Sequence, residues 1–326
     1  MAHDFQNFDN ALLKDFGGYL LSIKGLSINT VNSYLYDLLV YFRYLKVRYA
    51  MVPDKLPFES ITVEDVDTDL LSEITITDLY GFVSYTATHL RNTAFGRTRK
   101  ISALGAFYDY MCDKRNLLPS NPILELERPR LQKRLPVYLS LEESIQLLKS
   151  IEGRNRVRDY AIITLFLNCG LRLSELTNIK MTDIKGDTLK VIGKGNKERT
   201  IYLNEASQAA LKQYLEIRKQ KKVHNVPYLF LSEQNNPISN RAVQHAVKKH
   251  IRAAKLDDSK ISVHKLRHTA ATLMYQYSDT DIRALQQILG HENIATTEIY
   301  THIDDARLRD AVALNPLAHI QPPKTE

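Results

Sequence analysis

Cysteine is nearly absent. Cys112 and Cys169 are the two in a chain of 326 residues, and both sit in apolar, helix-like surroundings. So few thiols exclude a disulfide framework and a cysteine-built zinc site; they read as buried free thiols in a reducing cytoplasm. Long apolar runs are missing too. No stretch of 18 or more apolar residues occurs, so no membrane-spanning helix is expected. The start, Met1-Ala2-His3-Asp4-Phe5, has no basic segment leading into an apolar run, so no secretory signal is expected there. The expected location is cytoplasmic, with no membrane partner.

Hydrophobic residues make up 44% of the chain and charged residues 25%, the balance of a globular protein. The length suits two domains, each with its own core. A net charge of +7 tilts the chain toward a polyanionic partner. The acidic side chains gather in one place: Asp54, Glu59, Glu64, Asp65, Asp67, Asp69, Glu73 and Asp78. The positive charge is therefore concentrated elsewhere. With Pro53 and Pro57 beside it, the acid-rich stretch 54–74 reads as a long solvated connection.

Phe8, Leu12, Leu13, Phe16, Leu20 and Ile23 recur at helical spacing, predicting a helix over 5–24 that Gly25 stops. Ser27 or Asn29 caps a second helix through Val31, Tyr34, Leu35, Leu38, Leu39, Phe42 and Leu45. A third begins near Thr77, capped by Thr75 or Thr77, and ends near His89. A fourth runs from about Thr93 to Asn116, until Leu118-Pro119-Ser120-Asn121-Pro122 halts it. These predict a bundle of about four helices over residues 1–127. Arg97, Arg99 and Lys100 cluster at the start of the fourth helix, where exposed amides and basic side chains suit a phosphate backbone. An ordinary solvated helix end accounts for the cluster equally well. Residues 128–137 then read as an extended linker, with two prolines and the basic residues Arg128, Arg130, Lys133 and Arg134. Those four either track a nucleic-acid backbone or are simply solvated.

From 138 onward the pattern changes. Ser140 caps a helix with Glu143 three residues on, a capping box. An apolar helix through Tyr160–Cys169 ends at Gly170, and Leu171-Arg172-Leu173-Ser174-Glu175-Leu176 follows directly. An arginine between apolar neighbours must be paired, and Glu175 is one turn away. That pair is either structural or holds the guanidinium fork toward a phosphate. Residues 187–203 alternate as a hairpin around Gly193-Lys194-Gly195-Asn196. The glycine spacing and following hydroxyl of a phosphate-cradling loop are missing here. Helices are expected over about 205–222 and 239–255, and another begins at Val263. On it His264, Arg267 and His268 share a face at i, i+3 and i+4. Two histidines four apart also suit zinc, although a glutamate between them is lacking and Arg267 repels a cation. Near the end, a helix break at Gly290-His291 precedes a short helix toward Tyr300. There Ile294, Thr297 and Ile299 would face a core and Tyr300 would cover its edge, as many of the 18 tyrosines must.

Arginines, a lysine, histidines and a tyrosine, with almost no carboxylate, make a site for an anion, and a phosphodiester fits best. A phenol with a pKa of about 10 is a poor nucleophile at neutral pH, and close arginines and a base lower that barrier.

Five segments, in this order and spacing, resemble the tyrosine recombinases of the phage-integrase and Xer family. They are Gly170–Leu176, Gly193–Arg199, His264–His268, Leu289–His291 and Ile299–His302. The glycine-flanked lysine and the Tyr-Thr-His ending are most similar to the Xer-like branch. The resemblance implies a mainly α fold with a small β-sheet: a helical core-binding (SAM-like) DNA-binding domain over 1–127, then a mixed α/β catalytic domain over 138–326. It implies that Tyr300 attacks the scissile phosphate to form a 3′-phosphotyrosyl link, as in type IB topoisomerases. Arg172 and Arg267 would hold the non-bridging oxygens, and His264 would assist proton transfer. His291 would bond the phosphate, Lys194 would protonate the leaving 5′-oxygen, and Glu175 would orient Arg172. No cofactor and no metal is implied. The partners implied are a double-stranded DNA recombination site and a homotetramer or heterotetramer on it, with a second recombinase or an accessory protein as further candidates. The tail from Asp304 to Glu326 would pack on a neighbouring protomer or fold back on its own domain. Chromosome-dimer resolution and mobile-element integration or excision both remain open. So do two other classes: a metal-dependent phosphoesterase built on His264, His268 and His291, and a non-catalytic DNA-binding regulator.

Overall fold

The computed structural model describes residues 8–130, 137–193, 197–221, 226–278, 281–290 and 297. The chain divides into two compact units, Met1–Lys133 and Arg134–Glu326.

The first unit is helical. Its elements are α1 (Ala11–Ser22), α2 (Ile28–Arg48), the short α3 (Thr68–Ser72), α4 (Ile76–Thr88) and α5 (Ala94–Asp109), which continues into a wider π turn over Tyr110–Lys114. Local chemistry sets the ends. Asn10, Ser27, Asp67 and Thr93 each accept a first-turn amide with the side chain, and the Asp78 carboxylate takes both the N–H and the hydroxyl of Thr75. Gly25 reverses the chain after α1 with φ +62°. The core is aromatic, with Phe16, Tyr41, Phe42, Phe82, Phe107 and Tyr108 all buried. The hydroxyls of Tyr41 and Tyr108 satisfy each other at 2.9 Å, and burial pushes both phenols above their ordinary pKa.

Two expectations need correction. The acid-rich stretch is not a solvated connection. Ile61, Val63, Val66, Leu71 and Ile74 are buried, and Asn10 Nδ2 donates to the carbonyls of Val63 (2.8 Å) and Val66 (2.7 Å). Two of its acids pair with α2: Lys46 Nζ lies 2.6 Å from Asp65 Oδ1, and Arg43 Nη1 lies 2.9 Å from Glu59 Oε2. The apolar residues thread between the carboxylates, so the high acid content masked a packed segment. The second correction concerns Lys100, which is buried with Nζ 2.6 Å from Asp37 Oδ1. Arg99 Nη2 reaches the same oxygen at 2.9 Å while keeping an exposed side chain. Arg97 Nη1 donates to Asn92 O at 2.7 Å. Of the three basic residues, Lys100 is thus held inside by a buried carboxylate rather than presented to an anion. Arg128 and Arg130 are exposed and outside any helix or strand, while Lys133 and Arg134 lie outside the described residues.

In the second unit α6 (Leu141–Lys149) opens with the expected box: Ser140 Oγ accepts the Glu143 N–H, and Glu143 accepts the Ser140 N–H. Next comes α7 (Arg156–Cys169), buried on every face through Ala161, Ile162, Ile163, Leu165 and Phe166. Such a helix must be central, and α9 (Glu205–Gln220) and α11 (Val263–Tyr277) pack against it. The remaining helices are α8 (Leu173–Asn178), α10 (Asn240–Ala253) and α12 (Ile282–Leu289). The expected hairpin pairs β2 (Thr188–Ile192) with β3 (Glu198–Tyr202), Val191 opposite Arg199 and Leu189 opposite Ile201. A two-residue strand β1 (Ile184–Lys185) adds to β2, giving an antiparallel sheet in the order β1-β2-β3. The described part is therefore mainly helical with one small sheet, as expected, and none of its helices is long and apolar enough to cross a membrane.

Removing Asp37 strands a buried ammonium. Asp37→Ala is expected to destabilise the helical unit by about 3 kcal/mol or more, the scale of breaking one side of a buried pair. Urea unfolding of the full chain, followed by tyrosine fluorescence, measures it.

Candidate active site

Gly170 ends α7 with φ +58°, and the chain turns at once into α8, with Arg172 at the N-cap. A Cβ at 170 would stand 2.8 Å from Leu289 Cδ2, so the end of α12 sits directly against this turn. Glu175, one turn into α8, is buried. Its Oε2 accepts the Arg172 backbone N–H at 2.8 Å, and its Oε1 accepts Arg172 Nη1 at 2.7 Å. The pair inferred from sequence is therefore formed, but it is not alone. Arg199, on β3, places Nη1 2.6 Å from Oε1 and Nη2 3.0 Å from Oε2. Arg267, on α11, brings Nη1 to 3.9 Å from Oε2. Burial by itself would raise the Glu175 pKa. The hydrogen bonds from Arg199 and the Arg172 amide, then the Arg199 charge and the hydrogen bond from the Arg172 guanidinium, outweigh burial and hold it at about 2.

The same three arginines converge a second time. Arg199 Nε donates to Ile288 O at 3.1 Å, Arg267 Nη2 to Leu289 O at 2.7 Å, and Arg172 Nη2 to Gly290 O at 2.8 Å. Three successive carbonyls at the C-terminal end of α12 thus each receive one guanidinium. Carbonyls there lack amide partners further along the helix, and positive charge is favoured at that end. Gly290 takes φ +65°. Arg267 Nη1 also donates to Gly170 O at 2.5 Å, tying α11 to the end of α7.

His264 lies on α11 with an exposed face, its ring 4.5 Å from that of His268 and nearly perpendicular to it. Desolvation of its other face, then the charges of Arg267, Lys265 and Arg172, push its pKa below the ordinary histidine value. The imidazole is therefore neutral near pH 7 and able to accept a proton. Arg172 borders two clefts. One, of about 470 Å³, is also lined by His264, Arg267, Lys248 and Ser262. The other, of about 550 Å³, is lined by Lys180, Lys190 and Gly193.

Of the residues singled out in the sequence, the structure thus brings together Arg172, Glu175, His264 and Arg267, from positions up to 95 residues apart. Lys194, His291 and Tyr300 lie outside the described residues, as does the tail from Asp304. Gly193, next to Lys194, donates its N–H to Lys197 O at 2.8 Å at the turn end of the hairpin. Thr297, between His291 and Tyr300, is helical and buried. Arg199 lies within one of the five segments, and sequence reasoning misses its role. Its signal was available: it alternates with Ile201 and Leu203 on the inward face of a strand, where an arginine requires a buried anion.

The phage integrase family model matches residues 138–307. The chain belongs to the phage integrase family. The tyrosine recombinase XerC of Caldanaerobacter subterraneus is 52% identical over 307 residues, covering 94% of this chain and 87% of that protein. Among solved structures, the XerH site-specific recombinase bound to a palindromic difH substrate matches with a TM-score of 0.70 and 24% identity, over 96% of this chain and 92% of that one. A lambda integrase dimer bound to a COC′ core site matches with a TM-score of 0.66 and 17% identity, over 97% and 98%. These two likenesses establish the fold. The chain is a Xer-like tyrosine recombinase and, as such, a site-specific recombination enzyme. The metal-dependent phosphoesterase and the non-catalytic regulator find no support in these relatives.

Glu175 carries a pH signature. Its folded pKa is depressed, so the stability it contributes is present above its unfolded pKa, about 4.3, and is lost as pH falls toward 2. Glu175→Gln is expected to cost about 3 kcal/mol at pH 7 and distinctly less at pH 3. Urea unfolding of both proteins at the two pH values measures the difference.

Proposed function

We propose that this recombinase cuts and rejoins double-stranded DNA through a tyrosine ester, with Tyr300 as the nucleophile. The observation that carries the reading is the convergence of Arg172 and Arg267, from two of the family motifs, on one carboxylate and on the carbonyls of Leu289 and Gly290. The chain runs from there directly into His291. Two guanidiniums oriented in this way, beside a cleft, suit the non-bridging oxygens of a phosphodiester.

The step balances without an outside reagent. Tyr300 gives its proton to neutral His264, and its oxygen forms a bond to phosphorus. Arg172 and Arg267 stabilise the extra negative charge of the five-coordinate state. The bond to the 5′-oxygen then breaks, and Lys194 supplies the proton that makes it a hydroxyl. The ester retains the energy of the phosphodiester, so a second 5′-hydroxyl reverses the sequence and joins the strands. His291 adds a hydrogen bond to the phosphate.

Residues 1–127 serve as a core-binding domain and 128–137 as a basic linker, with Arg97, Arg99, Arg128, Arg130, Lys133 and Arg134 on the phosphate backbone. Four protomers act on two duplexes in the cytoplasm, and the tail from Asp304 packs on a neighbour. The recombinases of known structure named above are bound to their DNA sites, in line with this assignment.

A library of nicked duplexes, incubated with protein in excess EDTA and then denatured, tests the chemistry. Wild type should yield DNA covalently attached to protein. Tyr300→Phe should yield none while still binding DNA. Arg172→Ala should slow adduct formation roughly 100-fold or more, the scale of losing one oxyanion contact. Near-wild-type adduct from either variant sinks the assignment. Cleavage that appears only after zinc or magnesium is restored would move the reaction to a metal-dependent hydrolase. The logarithm of DNA affinity should fall linearly with the logarithm of salt concentration, with a slope set by the number of phosphates neutralised.

A further inference from the structure

We propose that Arg199 is a positioning residue for strand cleavage: it neutralises Glu175 so that Arg172 and Arg267 keep their charge for the scissile phosphate. The inference rests on the reading of those two arginines given above. Its own basis is geometric. Glu175 is buried among three guanidiniums, and both its oxygens are occupied by Arg199, at 2.6 and 3.0 Å. The Arg172 guanidinium shares only Oε1, its backbone N–H taking Oε2, and Arg267 stands back at 3.9 Å from Oε2. The side chain of Arg199 is about one-eighth exposed, whereas that of Arg172 is about one-third exposed and borders both clefts. The inner guanidinium thus takes the carboxylate, and the outer one faces the cleft.

Without Arg199, the whole charge of Glu175 would fall on Arg172 and Arg267. In a partly desolvated site, an anion held that close competes directly with a phosphate for the same cations. Arg199 also fixes the end of α12. Its Nε holds Ile288 O, and a Cβ on Gly290 would stand 3.0 Å from its Cδ, so the glycine leaves room for the guanidinium stem. One strand residue therefore sets both the share of the Glu175 charge that falls on the arginine pair and the place where the chain leaves α12 toward His291.

The test uses full-length protein and a nicked duplex carrying a site recovered from trapped adducts. The scissile linkage is either the normal phosphodiester or a methylphosphonate, in which a methyl group replaces one charged oxygen. An uncharged linkage needs less counter-charge. Arg199→Gln should therefore lose roughly tenfold or more in cleavage of the phosphodiester and much less on the methylphosphonate. Arg199→Lys, which keeps the cation, should leave the ratio of the two rates near that of wild type. Arg172→Ala and Arg267→Ala report on the underlying reading and should show the same selective loss. An equal loss on both substrates for Arg199→Gln, with the selective loss intact for Arg172→Ala and Arg267→Ala, overturns the proposal and leaves a purely structural arginine. An equal loss for all three overturns the phosphate reading and this inference with it. If Arg199→Gln does not fold, as judged by its melting curve, the comparison moves to a neutral Glu175→Gln background. There loss of Arg199 should cost less than about threefold in cleavage, and a loss of tenfold or more overturns the proposal.

Discussion

The second unit is organised around the charge on one carboxylate. Glu175 is buried, and a buried carboxylate is costly unless it is fully paired. Here the pairing does more than offset that cost. The cations come from three different elements, the N-cap of α8, strand β3 and helix α11. Each reaches onward to a carbonyl at the end of α12, and Arg267 reaches also to the end of α7. Remove the anion and the elements lose their common point of reference. The surrounding core of α7, α9 and α11 supplies the stability that allows so much charge to be held inside.

The helical unit solves a similar problem for a different end. Asp37 is buried with Lys100 inside and Arg99 reaching toward the surface. Burial raises the carboxyl of Asp37 despite both partners, so the pair fixes where α5 lies on α2 rather than adding much net stability. The acidic segment after α2 follows the same logic, with carboxylates turned to Arg43 and Lys46 while its apolar residues complete the core.

Much of this was legible in the sequence wherever one residue type has one physical reason. Ser27, Thr75 and Ser140 announced helix starts because each supplies an acceptor to an orphan amide. Gly170 announced the stop before Arg172 because the chain there turns left-handed, and the alternation over 187–203 gave the hairpin. The arginine, histidine and tyrosine motifs pointed to the family because few other sites need that set. What stayed hidden depends on long-range partners. No local pattern says that Lys100 will find Asp37, 63 residues away, or that Arg199 will share Glu175 with Arg172. Strand β1, two residues long, has no periodicity to read. In 54–74 the high acid content masks the intervening Ile61, Val63 and Val66, whose spacing is the better guide to burial.

The three arginines serve as a C-terminal cap for α12. A guanidinium has five N–H donors, and Arg172 directs one from Nη1 to Glu175 and one from Nη2 to Gly290 O, so it can meet a phosphate without first abandoning the helix. Occupancy of the cleft and firmness of that helix end are then thermodynamically linked. An anion strong enough to pull the guanidiniums off these carbonyls would loosen the last turn, and a helix end that tightens would turn them back. A phosphate bound there, as proposed, would then be felt at Gly290, the residue from which the chain departs toward His291.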